Sequence, residues 1–300
     1  MSAVTSVGPE VTTARRVAGF VALTKPRIIE LLLVTTLPTM VVAAHGMPRL
    51  TLMLATLVGG TLAAGGANAI NMVVDRDIDS IMRRTRGRPL VTGVVTPGQA
   101  LLFAVSLEVL AFGELWAAVN LLSALLAVSA TLFYVFVYTL WLKRTSRQNI
   151  VIGGAAGAVP VLVGWASVRD SVGWAPVVLF ALMFLWTPPH FWALAIRYRD
   201  DYRSVDVPMM PVVASFKKTS AQILAYTALV AAVSLVFAWT AGMGPLYWFS
   251  AAVLGGVFLG YAWRLWRDPT EARAMKLFHW SITYVTLLFV AMAADQLIFR

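Results

Sequence analysis

Cysteine is absent from the 300 residues of this chain, and charged residues make up only 13% of them. The missing cysteine excludes structural disulfides, thiolate zinc sites and cysteine nucleophiles, and it leaves the cellular compartment open. The low charge excludes an ordinary soluble domain, in which about a quarter of the residues are charged. Because 59% of the residues are hydrophobic and the mean hydropathy is +0.78, we expect an integral membrane protein.

Acidic residues are scarce as well, since 14 Asp and Glu stand against 24 Lys and Arg and leave a net charge of +10. In a soluble chain this excess would indicate nucleic-acid binding. In a membrane protein, cationic loops that fix orientation explain it better, so no nucleic-acid partner is expected. A signal peptide is not expected either, because roughly the first twenty residues contain only a short apolar piece and no convincing cleavage site.

Long apolar runs, by contrast, are plentiful. Crossing a bilayer takes about 20 apolar residues. Nine runs come close to that length: 28–46, 51–71, 99–119, 121–141, 149–167, 173–196, 219–241, 246–266 and 278–298. In the fifth run, small residues predict a closely packed helix, and Pro160 marks a point where it can break. We therefore predict an all-α membrane protein with an N-terminal cytoplasmic segment, residues 1–27, and a nine-helix domain, residues 28–300.

The cations are distributed unevenly along this pattern. Apart from Arg49, Arg169 and Arg300, every Lys and Arg lies in the N-terminal segment or near a loop that follows an even-numbered span. The positive-inside rule places these segments in the cytoplasm, so the N-terminus is predicted inside and the C-terminus outside. All long charged loops then face one compartment. This asymmetry favours an enzyme over a transporter, which needs gating machinery on both sides.

The most polar stretch, NAINMVVDRDIDSIMRRTRGRP at 68–89, begins where the second span leaves the membrane. At about 100° per residue, four of its side chains share one helix face: Asn68, Asn71, Asp75 and Asp79. Asp77 lies on the opposite side. Carboxylate and amide oxygens on one face suit Mg²⁺, which usually binds one or two carboxylates together with substrate phosphates.

Arginines follow this face directly, and guanidinium groups suit bidentate recognition of phosphate. They are Arg83, Arg84, Arg86 and Arg88. The loop after the fourth span adds a cationic patch that can help to neutralise phosphate: Lys143, Arg144 and Arg147. For these loop cations a role as topology determinants alone stays open. Together with the polar face they predict a metal–diphosphate site.

The sixth span carries LWTPPHFWALAIRYRDDYRSVDVPMMP at 185–211. Its Pro-Pro pair frees backbone carbonyls and is expected to kink the helix. If the helix resumes, His190 and Asp201 share one face about 16 Å apart, with His190 inside the membrane and Asp201 at its cytoplasmic edge. Asp200 lies about 100° from that face. An ionisable residue inside a membrane is a functional candidate, although a structural histidine is the open alternative.

Polar groups thus lie at the cytoplasmic ends of spans two and six, which run in the same direction. This placement is typical of two related halves with a cavity between them. We expect the helices to surround a central cavity that opens to the cytoplasmic side and holds one metal ion from each half.

At these residues the chain resembles the UbiA superfamily of intramembrane prenyltransferases, which shares the NxxxDxxxD pattern at 71–79. Within it, four strings resemble the protohaem IX farnesyltransferase family: LTKPRIIELLLVTT at 23–36, NAINMVVDRDIDSIMRRTRGRPLVTG at 68–93, YTLWLKRTSRQNIVIGGAAGAVPVLVGW at 138–165 and WTPPHFWALAIRYRDDYRSVDVPMMPVV at 186–213. The last third of the chain adds topology alone.

The resemblance implies a UbiA-type fold in the cell (inner or plasma) membrane, surrounded by membrane lipid. It implies transfer of farnesyl from farnesyl diphosphate to a vinyl group of haem b, with water addition, giving haem O for terminal oxidases. Mg²⁺ is expected to bind with farnesyl diphosphate. Haem b is expected as a substrate and not as a permanent cofactor, and haem A synthase is a candidate partner.

The resemblance also implies roles for individual residues. The first magnesium–diphosphate motif is Asn68, Asn71, Asp75 and Asp79, and the second acidic motif is Asp200 and Asp201. The implied metal ligands are Asn71, Asp75, Asp79 and Asp201. Arg84 and Arg88 are expected to contact the diphosphate, with Arg83, Lys143 and Arg144 as further substrate-binding cations. His190, the histidine of the PPHF string, is a candidate for holding haem.

One departure from the family pattern is Asp206, which stands where a glycine is expected before the Val-Pro-Met segment. It leaves the turn geometry open and is a possible extra carboxylate. Two other functions also stay open. One is a UbiA-type prenyltransferase that acts on an aromatic acid or a chlorophyll-type acceptor, and the other is a haem or lipid transporter without chemistry.

Overall fold

The computed structural model describes residues 12–299, with the backbone but not the side chains of 27–29 and 31–33. Residues 1–11 of the predicted N-terminal segment, and Arg300 with its predicted outward position, lie outside the described residues. The described part is built of helices joined by loops, which confirms the all-α prediction.

The helices follow the predicted order along the chain. They are α1 (Thr13–Leu23), α2 (Pro26–Ala44), α3 (Leu50–Val74), α4 (Arg76–Ile81), α5 (Pro97–Ala118), α6 (Leu121–Leu132) with a π-helical continuation (Phe133–Leu142), α7 (Lys143–Thr145), α8 (Asn149–Arg169), α9 (Trp174–Arg197), α10 (Arg199–Arg203), α11 (Met210–Val213), α12 (Phe216–Thr240), α13 (Pro245–Arg267) and α14 (Glu271–Phe299).

Eight helices in the described part of the chain are long and apolar enough to cross a membrane, and they correspond to predicted spans two to nine. The first predicted span corresponds to α2, of which Val34–Ala44 forms a shorter apolar helix. A multi-span helical membrane protein is therefore confirmed, whereas the count of nine spans stays a prediction.

Polar residues in the loops set several helix starts. Thr96 and Gln99 form a reciprocal capping box before α5, with N···O distances of 3.3 and 3.2 Å. Asn120 accepts the backbone N–H of Ser123 at 2.8 Å before α6. Such side chains satisfy amide groups that the first helical turn leaves unpaired, which matters most where the surroundings are apolar.

The prolines do not divide the long helices. α8 runs through Pro160, and α9 runs through Pro188 and Pro189. The prediction of a break in the fifth span is wrong, but its close packing is confirmed. A Cβ at Gly164 would lie 2.8 Å from the carbonyl oxygen of Thr36, so α8 and α2 approach too closely for a side chain there.

The long helices pack as a closed circuit, each against the next in the order α2, α3, α5, α6, α8, α9, α12, α13 and α14, with α14 returning to α2. Antiparallel neighbours bring the C-terminal ends of α3 and α9 to the same end of the bundle, here called the polar end. α4, α7 and α10 continue from these ends. The fold thus brings together segments that are far apart in sequence.

Candidate active site

The first polar motif lies at a break between two helices. α3 ends at Val74, and α4 begins after Asp75. The N–H of Asp75 nevertheless donates to the carbonyl of Asn71, and the N–H of Asp79 donates to that of Asp75, both at 2.9 Å. Because this i to i−4 pattern crosses the break, the helical spacing of the motif survives it.

The helical-wheel prediction therefore sorts these side chains correctly. Asn68, Asn71, Asp75 and Asp79 retain only 6, 3, 0 and 3% exposure. The side chain of Asp77 is 62% exposed. Four oxygen-bearing side chains are thus buried on one side of the motif, where a bound group would meet them, and the fifth faces outward.

Asp75 is the most enclosed of the four. Lys143 Nζ and Asn71 Nδ2 both donate to its Oδ2, the latter at 2.8 Å. Oδ1 is buried and accepts no hydrogen bond from the described residues, and the ion-paired atom Nη2 of Arg144 is 3.9 Å away. An unsatisfied buried carboxylate oxygen is costly unless a ligand completes it. A divalent cation with a preference for oxygen ligands fits this position.

Asp79 has a cation of its own. Arg88 Nη1 donates to Asp79 Oδ2 at 2.5 Å. The hydroxyl of Thr85 donates to the backbone carbonyl of Asp79 at 3.1 Å, which fixes the turn that carries Arg88 back to the motif. Both buried carboxylates of the first motif are therefore paired with a Lys or Arg side chain, and both side-chain types commonly bind phosphate.

The structure adds two residues that the sequence reasoning missed. Lys25 Nζ donates to Asn71 Oδ1 at 2.9 Å, and Asn71 Nδ2 donates to Thr139 Oγ1 at 3.1 Å. Burial, with the charges of Arg88 and Lys143, lowers the pKa of Lys25 to about 7. A signal for Lys25 existed in the sequence, because it lies directly before the first span and therefore at the polar end.

Thr139 is brought to Asn71 by the π-helix Phe133–Leu142. Its hydroxyl donates to the carbonyl of Tyr134, five residues back, at 2.8 Å. The same segment stacks Tyr134 on Tyr138, with ring centroids 5.4 Å apart. Gly153 makes room for them, because a Cβ there would lie 2.3 Å from the Tyr138 ring. π-Helical turns often occur at functional sites, but hydropathy does not reveal them.

The second acidic motif, like the first, has a carboxylate that is buried next to one that is exposed. Asp201 is buried, and its carboxylate accepts the backbone N–H of Arg84 at 3.2 Å and Nε of Arg83 at 3.3 Å. Asp200 is exposed and pairs with Arg203 at 3.1 Å. The segment after α4 thereby joins the first motif to the second through a single carboxylate.

The guanidinium of Arg84 lies over an aromatic surface at this junction. Its carbon is 5.4 Å from the ring centroid of Tyr198, and Nη2 donates to the hydroxyl of Tyr202 at 3.5 Å. Arg84 makes no ion pair with a described carboxylate. The charge of Arg84 is therefore available to an anion.

Two predicted contributors lie outside this cluster. Arg144 binds the exposed Asp77 with two hydrogen bonds of 2.7 Å, and this pairing lowers the pKa of Asp77 to about 2. Asp206 is exposed, and its φ of 51° is left-handed, as a position that favours glycine requires. The turn is therefore preserved with Asp206, and its carboxylate is not part of the buried set.

His190 lies deeper along α9. Its ring is stacked between Trp186, at 4.2 Å, and Phe278, at 4.8 Å between centroids. Its Nδ1 is 2.7 Å from the hydroxyl oxygen of Ser281 on α14. The histidine is thus held firmly between two helices, and it does not contact the carboxylates of the polar end.

An apolar cavity of about 200 Å³ begins at the first motif and lies between α2, α3, α6 and α8. It runs along α3 from Asn68 to Thr56, which is about 18 Å of helix. Small side chains, among them those of Ala63 and Ala67, make up its wall, and Tyr134 lines it beside the motif. α2, α3 and α6 belong to the first half and α8, the fifth span, begins the second, so this cavity lies between the two halves.

Within the described residues, no group of three or more His, Asp or Glu side chains is close enough to hold a metal ion alone. The set around Asp75 nevertheless fits Mg²⁺, which binds through one or two carboxylates and completes its shell with phosphate oxygens and water. Three of the predicted ligands lie on one side of the first motif: Asn71, Asp75 and Asp79. The fourth, Asp201, belongs to the second motif.

The chain is similar to known membrane enzymes over nearly its whole length. The UbiA prenyltransferase family model matches residues 32–287. The protohaem IX farnesyltransferase of Streptomyces avermitilis is 53% identical over 286 residues, which cover 93% of this chain and 94% of that protein. The protohaem IX farnesyltransferase of Frankia casuarinae is 54% identical over 286 residues, with 93% and 98% covered.

Solved structures show a shared fold at much lower identity. A digeranylgeranylglyceryl phosphate synthase matches with a TM-score of 0.77 at 16% identity, over 94% of this chain and 98% of that one. A UbiA homologue from Archaeoglobus fulgidus bound to GPP and Mg²⁺ matches with a TM-score of 0.61 at 15% identity, over 91% and 99%. At these identities the likeness is one of fold alone.

Proposed function

This chain belongs to the UbiA prenyltransferase family, and we propose that it transfers the farnesyl group of farnesyl diphosphate to a vinyl group of haem b, with water addition, giving haem O. The observation that carries the proposal is the continuity of a buried, cation-lined carboxylate site with an apolar cavity at Asn68. A prenyl diphosphate has the same two parts, an anionic head and an apolar tail. The relatives at more than 50% identity support haem b as the acceptor.

The residues of the first motif hold the head of the substrate. Asp75 and Asp79, with the amide oxygen of Asn71 and with Asp201 from the second motif, are the proposed ligands of Mg²⁺, which supplies positive charge to the diphosphate when bound. Lys143 pairs with Asp75 and Arg88 pairs with Asp79, so both cations are placed to bind phosphate oxygens. By stabilising the charge that develops on the leaving diphosphate, they favour cleavage of the allylic C–O bond.

Further residues around the first motif complete this anion site. Asn68 lies where the head meets the tail, and Lys25, directly before the first span, contacts Asn71. Arg84 is available to the diphosphate at the junction of the two motifs, with Arg83 beside it. Arg144 lies 3.9 Å from Asp75 while it binds Asp77, and Asp200 pairs with Arg203 at the surface, so both influence the site through their charge.

The apolar cavity holds the farnesyl chain and keeps water away from the reacting carbon. The stacked rings of Tyr134 and Tyr138 offer aromatic faces to a developing allylic cation. The diphosphate leaves with the electron pair of the C–O bond, and the vinyl π electrons form the new C–C bond to farnesyl. A water molecule then adds to the resulting cation beside the porphyrin and releases a proton.

The protein is proposed to lie in the cell membrane as one catalytic domain over residues 28–300, with the polar end facing the cytoplasm. The cationic loops at this end support that orientation. It places the site where water-soluble farnesyl diphosphate arrives, while haem b enters from the lipid. An enzyme that oxidises haem O further, such as haem A synthase, is the proposed consumer of the product.

One experiment tests the function directly. Purified protein is incubated with haem b, farnesyl diphosphate and Mg²⁺, and the products are identified by mass spectrometry. We expect haem O, and no product when Mg²⁺ is replaced by a chelator. Prenylation of an aromatic acid or a chlorophyll-type acceptor in place of haem b would contradict the proposed acceptor. Haem binding without any product would indicate a carrier.

A further inference from the structure

Ser281 on α14 is a small polar residue that meets His190 inside the bundle. Its hydroxyl oxygen is 2.7 Å from His190 Nδ1 and 2.6 Å from the backbone carbonyl oxygen of Phe278. A carbonyl oxygen only accepts hydrogen bonds, so the single hydroxyl proton points to Phe278. Ser281 therefore accepts from His190, and Nδ1 carries the proton.

This assignment determines the other ring nitrogen. A neutral imidazole has one protonated nitrogen, so Nε2 of His190 carries a lone pair. Nε2 makes no hydrogen bond to the described residues. Trp186 and Phe278 cover the two ring faces, and Ser281 holds Nδ1. His190 is partly buried, and Nε2 is the ring nitrogen that no described residue occupies.

The neighbours of His190 also fix the orientation of its imidazole ring. The indole N–H of Trp186 donates to the backbone carbonyl of Ser281 at 2.9 Å, so the stacked ring and the hydrogen-bond acceptor are tied together. A histidine that ligates a metal typically donates its other N–H to such an acceptor, which sets the tautomer and the ring orientation. Imidazole is a common ligand of haem iron.

The placement of His190 suits haem b in particular. His190 and Arg197 are seven residues apart on α9, so they share a helix face about 10 Å apart along the axis. Arg197 lines a recess of about 440 Å³ at the polar end and lies 3.9 Å from Glu271, which lines the same recess. Haem b has two carboxylates at one edge and iron at its centre. If one haem carboxylate takes the place of Glu271 at Arg197, the iron lies deeper in the bundle, toward His190.

We propose that Ser281 is a positioning residue that holds His190 as the Nδ1-protonated tautomer and thereby presents Nε2 to the iron of haem b. This inference rests on the proposed function, because haem b is the substrate there. It assigns to Ser281 no contact with haem. It predicts instead that the hydroxyl of Ser281 acts through His190.

The test measures haem binding without turnover. Purified protein in lipid nanodiscs is titrated with ferric haem b, and absorption and electron paramagnetic resonance spectra are recorded. We expect an imidazole-ligated spectrum for the wild type, its loss in His190→Gly and its recovery when free imidazole is added. In Ser281→Ala, haem affinity should fall at least about tenfold. Ser281→Thr retains the hydroxyl and should keep the haem affinity of the wild type. The affinity for farnesyl diphosphate should stay unchanged in both Ser281 variants.

Two results would overturn the inference. An unchanged spectrum in His190→Gly means that Nε2 does not bind iron, and this arm stands even if Ser281→Ala fails to fold. Equal haem affinity in the wild type and Ser281→Ala means that the hydroxyl positions nothing. Haem O formation by the same wild-type preparation separates the two proposals. If the product forms but the haem spectrum does not depend on His190, only this inference fails. If no product forms, the proposed function fails.

Discussion

The two acidic motifs differ in how they hold their carboxylates. In the first, Asp75 and Asp79 are buried, and each is bound by a largely buried cation, Lys143 and Arg88 respectively. In the second, Asp201 alone is buried, and it binds a backbone N–H and an exposed arginine. The cations of the first motif are 13% and 21% exposed, whereas the arginine that binds Asp201 is 78% exposed, so the first motif is the more enclosed site. We expect substitutions in the first to cost more.

The largest effect is predicted for Asp75→Asn. It removes the charge of a carboxylate that has an open, buried oxygen, and it leaves Lys143 without its anion. Removing one preorganised electrostatic contact typically costs at least about 100-fold in turnover. Haem O formation should fall by that much or more and should not recover at high Mg²⁺.

Asp77→Asn is the matched control for Asp75→Asn, two residues along the chain. Its carboxylate is exposed and binds Arg144, and exposed pairs contribute little. Activity should stay within about twofold of wild type. If Asp77→Asn lost as much activity as Asp75→Asn, the assignment of ligands by helix face would be wrong.

The next effect is predicted for Asp201→Asn. It weakens hydrogen bonds from Arg83 and from the backbone of Arg84, and bonds to a charged group contribute about 1.5–3 kcal/mol each. We expect kcat/KM for farnesyl diphosphate to fall about tenfold to a hundredfold. Asp200→Asn is the control and should stay near wild type. Equal losses in the two variants would show that burial does not distinguish them.

Much of this comparison could be predicted from the sequence, because it depends on helical periodicity. The spacing of Asp75, Asp77 and Asp79 sorts them by face even though α3 ends between them, since the hydrogen-bond pattern continues. The spacing of Asp200 and Asp201 behaves in the same way. Local periodicity is therefore a sufficient guide to which carboxylates are buried.

The partners of these carboxylates could not be predicted in this way. Lys25 and Thr139 reach Asn71 across 46 and 68 residues of sequence, so their contacts depend on how whole helices pack. Thr139 lies in the π-helical part of the fourth span, and hydropathy does not distinguish this part from an ordinary apolar helix. The cavity lies between the halves, as predicted, but the small residues of α3 and α8 that line it come together only through helix packing.

A smaller effect, confined to the first motif, is predicted for Thr139→Val. It removes one neutral hydrogen bond to Asn71, which contributes about 1 kcal/mol, or roughly fivefold in an equilibrium constant. The Mg²⁺ concentration for half-maximal activity should rise by about that factor, and the KM for haem b should not change. Thr139→Ser retains the hydroxyl and should behave as wild type. A change in the KM for haem b alone would place Thr139 on the acceptor side instead.

The smallest effect is predicted for the turn of the second motif. Asp206 has a left-handed φ of 51°, which strains a residue with a Cβ but not glycine. Asp206→Gly should therefore raise thermal stability by less than about 1 kcal/mol, measured as Tm in detergent, and Asp206→Ala should not. Haem O formation should be unchanged in Asp206→Gly. If it fell as far as in Asp201→Asn, Asp206 would be a functional carboxylate, and the second motif would contain two acidic ligands, as the first does.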